Sequence, residues 1–486
     1  MKNTDKLISD ALNFITGMGQ KKAARKPLPV IADGTFDYLA EGGTHFTAGF
    51  GKCVMLPEDI DDAKYYIAGY SENNPARGVI DPQYAHAFYL DDNSGRGGVL
   101  FVSLDAVGML NKDINELKKT LYQFKEYSGC REISVFCTHN HAGIDTMGIW
   151  GPLPFSGKSD KFMKILFAAV KKAAYEAYEG RKDGKLYLGR IEVPDMQEDI
   201  RTPSVYSKTL TRLRFAPNDG SNDIYFVNFA SHSESLQGCN HLVSADFPCY
   251  LRERIKNETG ADTIYGVGAI GGMISMDIKD ENLLRKEHRL LESTRNIGYK
   301  LAGYAISVKD EKELKPNISF IRQEFFCTVE NPVLTIACQV GILNADRYSM
   351  NGKGALKTEM SYFEIDGLKI LMIPCELFPE LAYGGYLSAE ESAEGKDPGI
   401  NPQPLVETAE DENLLIFGLA NDELGYVIPP NDFMLNDIQP YLDKAVDRHG
   451  RRHYEETNST GPYTAQAISD NFKKILEKVK AAKSSQ

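Results

Sequence analysis

The chain has 486 residues, of which 42% are hydrophobic and 25% are charged, and this is the composition of an ordinary globular protein. Its formal net charge of −13 is opposite to what a nucleic-acid-binding surface needs. The sequence contains no apolar run of about 18 residues, the length that a transmembrane helix requires. We therefore expect no nucleic-acid partner and no transmembrane segment.

Residues 1–40 are predicted to form a helical extension followed by a basic, proline-containing connector. Leu7, Ile8, Leu12 and Ile15 have the spacing of an amphipathic helix, and this segment lacks the continuous apolar core of a secretory signal. The eight cysteines are scattered without a C-x-x-C pair, which favours a reducing compartment. We expect a cytoplasmic location, or secretion if a signal was removed, and a single main domain at 41–486.

Strands and helices mix along this domain without strict alternation. The first unit is a strand at 98–105, a helix at 111–127 and a strand at 132–138; this βαβ pattern would place Asp105 and His139 at neighbouring strand ends. The remaining predicted elements are helices at 158–178, 247–256, 281–307 and 464–482, strands at 186–193, 209–215, 224–230 and 263–267, and antiparallel strands between 318 and 374. The predicted fold class is α/β, with one large mixed sheet and flanking helices.

A histidine pair follows the strand at 132–138. His139 and His141 are two residues apart, so in an extended chain both side chains point to the same side. Strand ends of this kind commonly hold the ligands of metal-dependent hydrolases. The alternative is one structural histidine in the core beside another at the surface.

Three later segments also bring polar side chains to strand ends. His232 follows the apolar strand at 224–230, Glu376 follows the strand that begins at Leu368, and Tyr426 closes a turn rich in acidic residues. Alone, such a histidine is often structural and such a glutamate often lies at a helix N-terminus. Together they offer two or three imidazoles and a carboxylate, the usual ligands of a catalytic zinc ion that activates water.

Seven segments resemble, in order, those of the neutral/alkaline (non-lysosomal) ceramidase family. They are Ala-Gly-Phe-Gly-Lys-Cys from Ala48, Ala-His-Ala-Phe-Tyr-Leu from Ala85, Thr-His-Asn-His-Ala-Gly from Thr138, Ile-Arg-Thr-Pro-Ser-Val-Tyr from Ile200, Phe-Ala-Ser-His ending at His232, Gly-Leu-Ala-Asn from Gly418 with Gly425 and Tyr426, and His-Tyr-Glu-Glu-Thr-Asn-Ser-Thr-Gly-Pro from His453.

The resemblance implies a zinc-dependent amidase that hydrolyses ceramide or a related acyl amide. It implies zinc ligands at His139, His232, Glu376 and Tyr426. The catalytic and substrate-binding positions that it implies are His141, facing the substrate carbonyl, Tyr454, stabilising the oxyanion, Arg201, in the substrate pocket, and Ser275. Asp105 and Asp246 are weaker candidates, which we expect to order the surroundings of the ligands.

The chain departs from the family pattern in three places. Ser275 lies in Gly-Gly-Met-Ile-Ser-Met, whereas the family has Gly-Asp-Val-Ser-Pro, so its role as a nucleophile or as a partner of a zinc-bound hydroxide stays open. The usual C-terminal immunoglobulin-like domain is expected to be absent. A charged, proline-containing stretch at 429–452 has the character of an insertion near the site, and such loops determine what enters a pocket.

Two alternatives accompany this hypothesis. One is a metallohydrolase acting on a non-lipid amide or ester with both histidines of the pair on the metal, although Gly143 stands where the metallo-β-lactamase pattern needs aspartate. An amidohydrolase barrel is disfavoured by the late antiparallel strands. The other is a non-catalytic lipid- or glycan-binding homologue. The predicted partner is a small acyl-amide substrate, and the oligomeric state is left open.

Overall fold

The computed structural model describes residues 27–31, 36–38, 41–61, 64–277, 287–434 and 446–485. The amphipathic helix predicted near the N-terminus lies outside these residues. Within the described part of residues 1–40, the chain forms only a two-residue strand that pairs with the main body.

Most of the predicted strands and helices are present, but two long strands precede the first one that the sequence predicts. The strands are β1 (Phe36–Asp37), β2 (Phe46–Val54), β3 (Tyr84–Asp91), β4 (Val99–Leu104), β5 (Glu132–Cys137), β6 (Lys182–Glu192), β7 (Gln197–Asp199), β8 (Thr209–Pro217), β9 (Ile224–Phe229), β10 (Asp262–Val267), β11 (Ile274–Met276), β12 (Glu311–Leu314), β13 (Ile318–Thr328), β14 (Arg347–Met350), β15 (Lys353–Ile365), β16 (Leu368–Met372), β17 (Glu376–Leu377), β18 (Leu415–Phe417) and β19 (Tyr426–Val427). The helices are α1 (Asn111–Thr120), α2 (Tyr122–Ser128), α3 (Asp160–Glu179), α4 (Phe247–Thr259), α5 (Glu287–Ser307), α6 (Pro332–Val340), α7 (Pro379–Tyr383), α8 (Leu405–Thr408) and α9 (Thr464–Ser484), with short 3₁₀ turns at Pro398–Ile400 and Glu455–Asn458.

Two large sheets form the centre of the molecule. The first has the order β10-β9-β8-β6-β2-β3-β4-β5, with β12 added on β6, and the second has the order β1-β13-β15-β16-β18, with β14 on β15. Strands β4 and β5 are parallel neighbours, which confirms the predicted βαβ unit. Strands β9 and β10 are also parallel, while the other neighbours in the first sheet are antiparallel.

The sheets and helices stack as four layers, helices–sheet–sheet–helix. One face of the first sheet packs under α1 to α5 in a large apolar cluster that includes Leu166, Val227 and Leu301. Its other face meets the second sheet through aromatic side chains, and α9 covers the far side of the second sheet, where Phe472 packs near Tyr362. Burying both faces of each sheet explains the nearly continuous apolar runs of β4, β5 and β9.

Phe226 is the centre of the contact between the sheets. Its ring stacks on Phe136 with centroids 5.8 Å apart and an interplanar angle of 7°. It also meets Phe88, Phe101 and Phe417 at 5.1–6.0 Å. This ring therefore joins strands of both sheets directly below the ends that carry the candidate site.

We expect Phe226→Ala to lower the free energy of unfolding by about 3–5 kcal/mol, because it removes a buried ring and leaves a cavity between the sheets. Urea and thermal denaturation followed by circular dichroism measure the loss. Tyr122→Ala is the matched control, since that ring is 65% exposed, and it should change stability by less than about 0.5 kcal/mol. Equal losses in the two variants would contradict the assignment of Phe226 to the central core.

The predicted fold class is confirmed, and several elements differ. Strands β2 and β3 of the first sheet were not predicted, and the strands predicted between 318 and 374 form the second sheet, with helix α6 among them. The helix predicted at 111–127 is two helices, because the chain turns at Leu121, where φ is −91° and ψ is 7°. The helix predicted at 281–307 is described from Glu287, and residues 278–286 lie outside the described part. In the part of the chain that the structure describes, no helix is both long enough and apolar enough to cross a bilayer.

Candidate metal centre

The candidate site lies where ends of both sheets meet. His139 follows β5 and His232 follows β9, both in the first sheet, while Glu376 opens β17 shortly after β16 of the second sheet. Carboxyl ends of parallel strands are where α/β proteins place their sites, because side chains from several strands converge there. The predicted positions at 139, 232 and 376 are therefore brought together.

Backbone contacts join the two histidine-bearing loops. Asn140 and Ser233 form a parallel β-bridge, and the backbone N–H of His141 donates to the carbonyl of Ser233 at 2.9 Å. The Ser233 hydroxyl donates to the Thr138 carbonyl at 2.7 Å. These bonds hold the loops in register, so the imidazoles they carry have fixed relative positions.

The extended geometry predicted for the histidine pair is wrong. Strand β5 ends at Cys137, and His139 has a φ of 55°, in the left-handed region. The two rings still converge, with centroids 4.5 Å apart, but a turn brings them together rather than strand alternation. A residue with a side chain in this backbone conformation carries strain, and such strain concentrates at functional sites.

Two imidazoles have their Nδ1 atoms bound to backbone carbonyls. Nδ1 of His139 donates to the Val107 carbonyl at 2.7 Å, and Nδ1 of His232 donates to the Ile274 carbonyl at 2.9 Å. Because a carbonyl only accepts, each Nδ1 must carry the proton. Each Nε2 is then left with a lone pair for a metal, which is the usual orientation of histidine ligands.

The free nitrogens point at one carboxylate oxygen. Oε2 of Glu376 is 3.1 Å from Nε2 of His139 and 3.1 Å from Nε2 of His232. In a tetrahedral zinc site with bonds of about 2.0–2.1 Å, neighbouring ligand atoms are about 3.3 Å apart. His139, His232 and Glu376 are all buried, and their donor atoms fit a zinc ion in kind and spacing.

His141 lies beside the same centre. Its Nε2 is 3.0 Å from Nε2 of His139, and one ligand atom from each of His139, His141 and His232 lies within 4.8 Å of the others. A buried three-histidine cluster of this size could itself hold a metal ion. The geometry therefore accommodates His141 either as a third imidazole ligand or as a group facing the substrate.

Tyr426 and Tyr454 are the two tyrosines of the candidate site. Strands β17 and β19 run parallel, and Glu376 and Tyr426 are partners in their register. The Tyr426 hydroxyl lies 3.2 Å from Sδ of Met273, and its ring is perpendicular to that of Tyr454 with centroids 6.3 Å apart. The structure thus places both tyrosines near the candidate ligands, and their roles stay predictions.

Arg201 is held by carboxylates rather than by the histidine cluster. One guanidinium nitrogen is 3.0 Å from Asp432 and another is 2.9 Å from Glu455, and the group lies over the Phe378 ring at 4.9 Å. Burial alone would lower the pKa of Arg201, but these carboxylates raise it above its ordinary value. Asp432 belongs to the stretch at 429–452, of which residues 435–445 lie outside the described part.

Asp105 and Asp246 contact no candidate ligand directly. Asp105 accepts hydrogen bonds from Arg252 at 2.8 and 2.9 Å. Asp246 caps α4 and accepts hydrogen bonds from the N–H groups of Ser235 and Leu236 at 3.1 and 3.0 Å. Asp246 therefore holds the loop that follows His232 without contacting the candidate ligands themselves.

Sequence reasoning missed Glu234, which lies two residues after His232. Its carboxylate accepts hydrogen bonds from the hydroxyls of Ser275 and of Tyr70, the latter at 2.7 Å, and lies 3.7 Å from Nδ1 of His141. Glu234 is 8% exposed. The available signal was an acidic residue directly after a strand-end histidine, in Ser-His-Ser-Glu-Ser.

The carboxylates and imidazoles of the centre shift one another's pKa values. Burial would raise the pKa of Glu376, but His139 and His232 hold it well below its usual range. Burial would also raise the pKa of Glu234, but the nearby imidazoles of His232 and His141 lower it. Burial, reinforced by His139, lowers the pKa of His141 to about 3. Two carboxylates and three imidazoles thus lie together in a buried centre, and both are ligand types that zinc binds.

The fold and the converging side chains define a layered α/β protein with a candidate metal centre at the junction of two sheets. No family model matches the chain. Neutral ceramidases of Drosophila pseudoobscura pseudoobscura and Drosophila melanogaster are 23% and 24% identical to it over 224 residues, which is 42% of this chain and 31% of each relative. The match thus spans about a third of those proteins.

Solved ceramidase structures match over most of the chain. Neutral ceramidase from Pseudomonas aeruginosa superposes with a TM-score of 0.67 at 16% identity, over 88% of this chain and 73% of that one. A ceramidase complexed with C2 superposes with a TM-score of 0.64 at 15% identity, over 88% and 74%. The chain has the neutral ceramidase fold, and the resemblance inferred from its motifs is confirmed.

Proposed function

We propose that this protein is a zinc-dependent amide hydrolase of the ceramidase type, which cleaves an N-acyl amide into an amine and a carboxylic acid. The observation that supports it most is the convergence of His139 and His232 on one oxygen of Glu376, each Nε2 at 3.1 Å. The similarity to proteins named neutral ceramidases supports the bond type.

His139, His232 and Glu376 would hold the zinc ion, with Tyr426 as a fourth ligand. Burial and the charge of Glu376 raise the pKa of Tyr426 well above its ordinary value. A nearby divalent cation reverses such a shift, because it stabilises the phenolate. When bound, zinc lowers the pKa of water towards neutrality and polarises the scissile carbonyl.

The remaining side chains act on the substrate. We assign Tyr454, whose ring lies 6.3 Å from that of Tyr426, to donate its hydroxyl to the oxyanion that develops on the carbonyl. We assign His141 to face the substrate carbonyl and Arg201 to bind the substrate, with its guanidinium group held by Asp432 and Glu455.

The contacts of Ser275 favour attack by water over attack by the serine. In the described part of the chain, the Ser275 hydroxyl donates to the carboxylate of Glu234, and no imidazole is paired with it. A serine nucleophile is usually activated by a histidine base, which this arrangement does not supply. We assign Ser275 to the ordering of the reacting groups.

The test is metal analysis and hydrolysis by the wild type and Glu376→Ala on a panel of N-acyl amides that includes ceramides and short soluble amides. We expect the wild type to bind one zinc ion per chain and to hydrolyse at least one amide. The variant should lose both, because the carboxylate that neutralises the ion is gone. Glu359→Ala is the control, since Glu359 is also buried but pairs with Lys118 instead of the histidines.

The panel of amides tests the proposed mechanism and the proposed substrate separately. Full zinc content and full activity in Glu376→Ala would refute the proposed site. Hydrolysis of short amides with no turnover of ceramides would retain the mechanism and reject the lipid substrate. Zinc binding without turnover of any amide or ester would favour the non-catalytic alternative.

A further inference from the structure

A second cavity lies against the first sheet, separate from the histidine cluster. Strand β10 stands at one edge of this sheet, but the sheet curves so that β10 also contacts β3 and β4. The cavity has a volume of about 280 Å³, and none of the candidate metal ligands lines it. Its charged, polar and aromatic lining includes Phe50 and Lys52 of β2, Tyr84 and His86 of β3, Arg252 of α4 and Thr263 of β10.

Three polar atoms at this cavity are buried without a hydrogen-bond partner in the described part of the chain. They are Nδ1 of His86, Nη1 of Arg252 and Oγ1 of Thr263. His86 and Thr263 are each 3% exposed, and the Arg252 side chain is 10% exposed. Buried polar groups are nearly always hydrogen-bonded, because leaving one unpaired costs free energy. Three such atoms around one space therefore indicate a ligand that pairs with them.

The ligand must accept a hydrogen bond from Arg252. A guanidinium group carries only donors and keeps its positive charge at any ordinary pH. Nη2 of Arg252 donates to both carboxylate oxygens of Asp105, at 2.8 and 2.9 Å, and this fixes the plane of the group. Nη1 therefore has a fixed position, and an anionic oxygen beside it would complete a buried, charge-assisted hydrogen bond.

His86 and Thr263 add uncharged hydrogen-bonding groups. Burial, reinforced by the positive charges of Arg252 and Lys52, lowers the pKa of His86 well below its ordinary value. The ring is therefore neutral, and its Nδ1 is an N–H donor in one of its two tautomers. The Thr263 hydroxyl is also able to donate. The cavity thus offers donors from two strands and a helix.

Lys52 brings a second positive charge to the cavity. It is the cross-strand partner of His86, so the two side chains lie on the same face of the sheet. Its ammonium group lies 5.6 Å from the centroid of the Tyr84 ring. Because Lys52 is exposed, this charge lies at the mouth of the cavity.

The acidic side chains at the cavity are paired or exposed. Asp105 is paired with Arg252, and Asp262 is 3.0 Å from the ammonium group of Lys256. Glu253 is exposed, so water and salt screen its charge. The groups that remain for a ligand are donors and a cation, and they favour an anion.

A phosphate group meets these requirements better than a carboxylate does. Its oxygens point in several directions and suit donors that come from three separate elements, whereas the two oxygens of a carboxylate lie in one plane. A volume of about 280 Å³ is at the small end of ligand pockets. It has room for a phosphate with a small organic group, and not for long acyl chains.

We propose that this cavity binds a phosphate group, either free or at the end of a small phosphate monoester. Arg252 and Lys52 supply the positive charge, and Thr263 and His86 supply further hydrogen bonds. The site does not depend on the proposed hydrolysis, because no candidate metal ligand lines the cavity.

Calorimetric titration of the full chain with inorganic phosphate, in a buffer free of other oxyanions, tests the proposal. We expect a Kd of about 1 mM or lower at low ionic strength, and weaker binding as added salt screens the charges. A parallel titration with glycerol 3-phosphate distinguishes the two sources of the group. Tighter binding of the ester would identify a monoester site, and binding of inorganic phosphate alone would identify a site for the free ion. Binding of neither probe would overturn the proposal.

Two variants locate the binding in the cavity. Lys52 is exposed, so Lys52→Glu should fold normally and weaken phosphate binding by at least about tenfold. Thr263→Val removes only the hydroxyl and should weaken binding by about tenfold, the effect of a hydrogen bond to a charged group. Lys480→Glu is the matched control, because it makes the same charge change at an exposed position of α9 and should leave the affinity unchanged. Thermal denaturation without phosphate checks that each variant folds. Equal affinity in the wild type and all three variants would overturn the proposal.

The candidate metal centre is the competing site for phosphate, because a zinc ion with an open position accepts oxygen ligands. The titrations are therefore repeated on protein freed of metal with a chelator. Binding that survives this treatment and is weakened in Lys52→Glu supports the cavity. Binding that disappears with the metal would belong to the metal centre and overturn the proposal, whatever the result for amide hydrolysis.

Discussion

Zinc binding should fall by more than about 100-fold in His139→Ala, and hydrolysis should fall to background. Replacing a residue that merely orients a zinc ligand costs about 10–100-fold in metal affinity, and removal of the ligand itself should cost more. Nδ1 of His139 also donates to the Val107 carbonyl at 2.7 Å, so the variant loses this anchor of the site as well. Zinc content after dialysis and competition with a chelator measure the effect.

Two further variants make this result specific. His139→Asn also removes the imidazole, but asparagine tolerates the φ of 55° at this position, so loss of zinc in both variants separates the ligand from the backbone. His86→Ala removes a buried histidine of β3 away from the cluster and should retain zinc. Retention of zinc and activity in both His139 variants would be incompatible with the proposed centre.

Much of the site was predictable because its parts follow one local pattern. An apolar strand that ends in a histidine or glutamate can be recognised from about ten consecutive residues. This pattern identified His139, His232 and Glu376 as candidates. The α/β fold class was predictable for a similar reason, since apolar runs indicate buried strands and a 3.6-residue apolar spacing indicates amphipathic helices. Tyr426 was predicted only through the family resemblance. Its pairing with Glu376 depends on two strands of two residues each, which are too short to show a sequence pattern.

The rest of the site depends on contacts between distant residues. Glu234 and Ser275 are 41 positions apart, and only the folded chain shows that their side chains meet. Arg201 pairs with Asp432, which is 231 positions away. The convergence of the histidine pair was predicted from an extended chain, but it arises from a left-handed turn at His139 and a bridge to Ser233. The cytoplasmic location and the domain boundary at residue 40 stay predictions.

The second large expected effect concerns the different roles that we propose for His139 and His141. We expect His141→Ala to keep its zinc and to lower kcat by about 100–10,000-fold, the range that a general acid–base group contributes. The reason is that His139, His232 and Glu376 already form a set with spacings of 3.1 Å, whereas Nδ1 of His141 faces Glu234. Metal analysis and single-turnover kinetics on the same preparation measure both quantities.

The alternative outcome is equally informative, because His141 also belongs to the cluster whose ligand atoms lie within 4.8 Å. Loss of zinc in His141→Ala, to the extent seen in His139→Ala, would make it a third imidazole ligand. The centre would then be a three-histidine site with Glu376 beside it. Comparing zinc affinity in the two alanine variants therefore decides which histidines hold the ion and which one acts on the substrate.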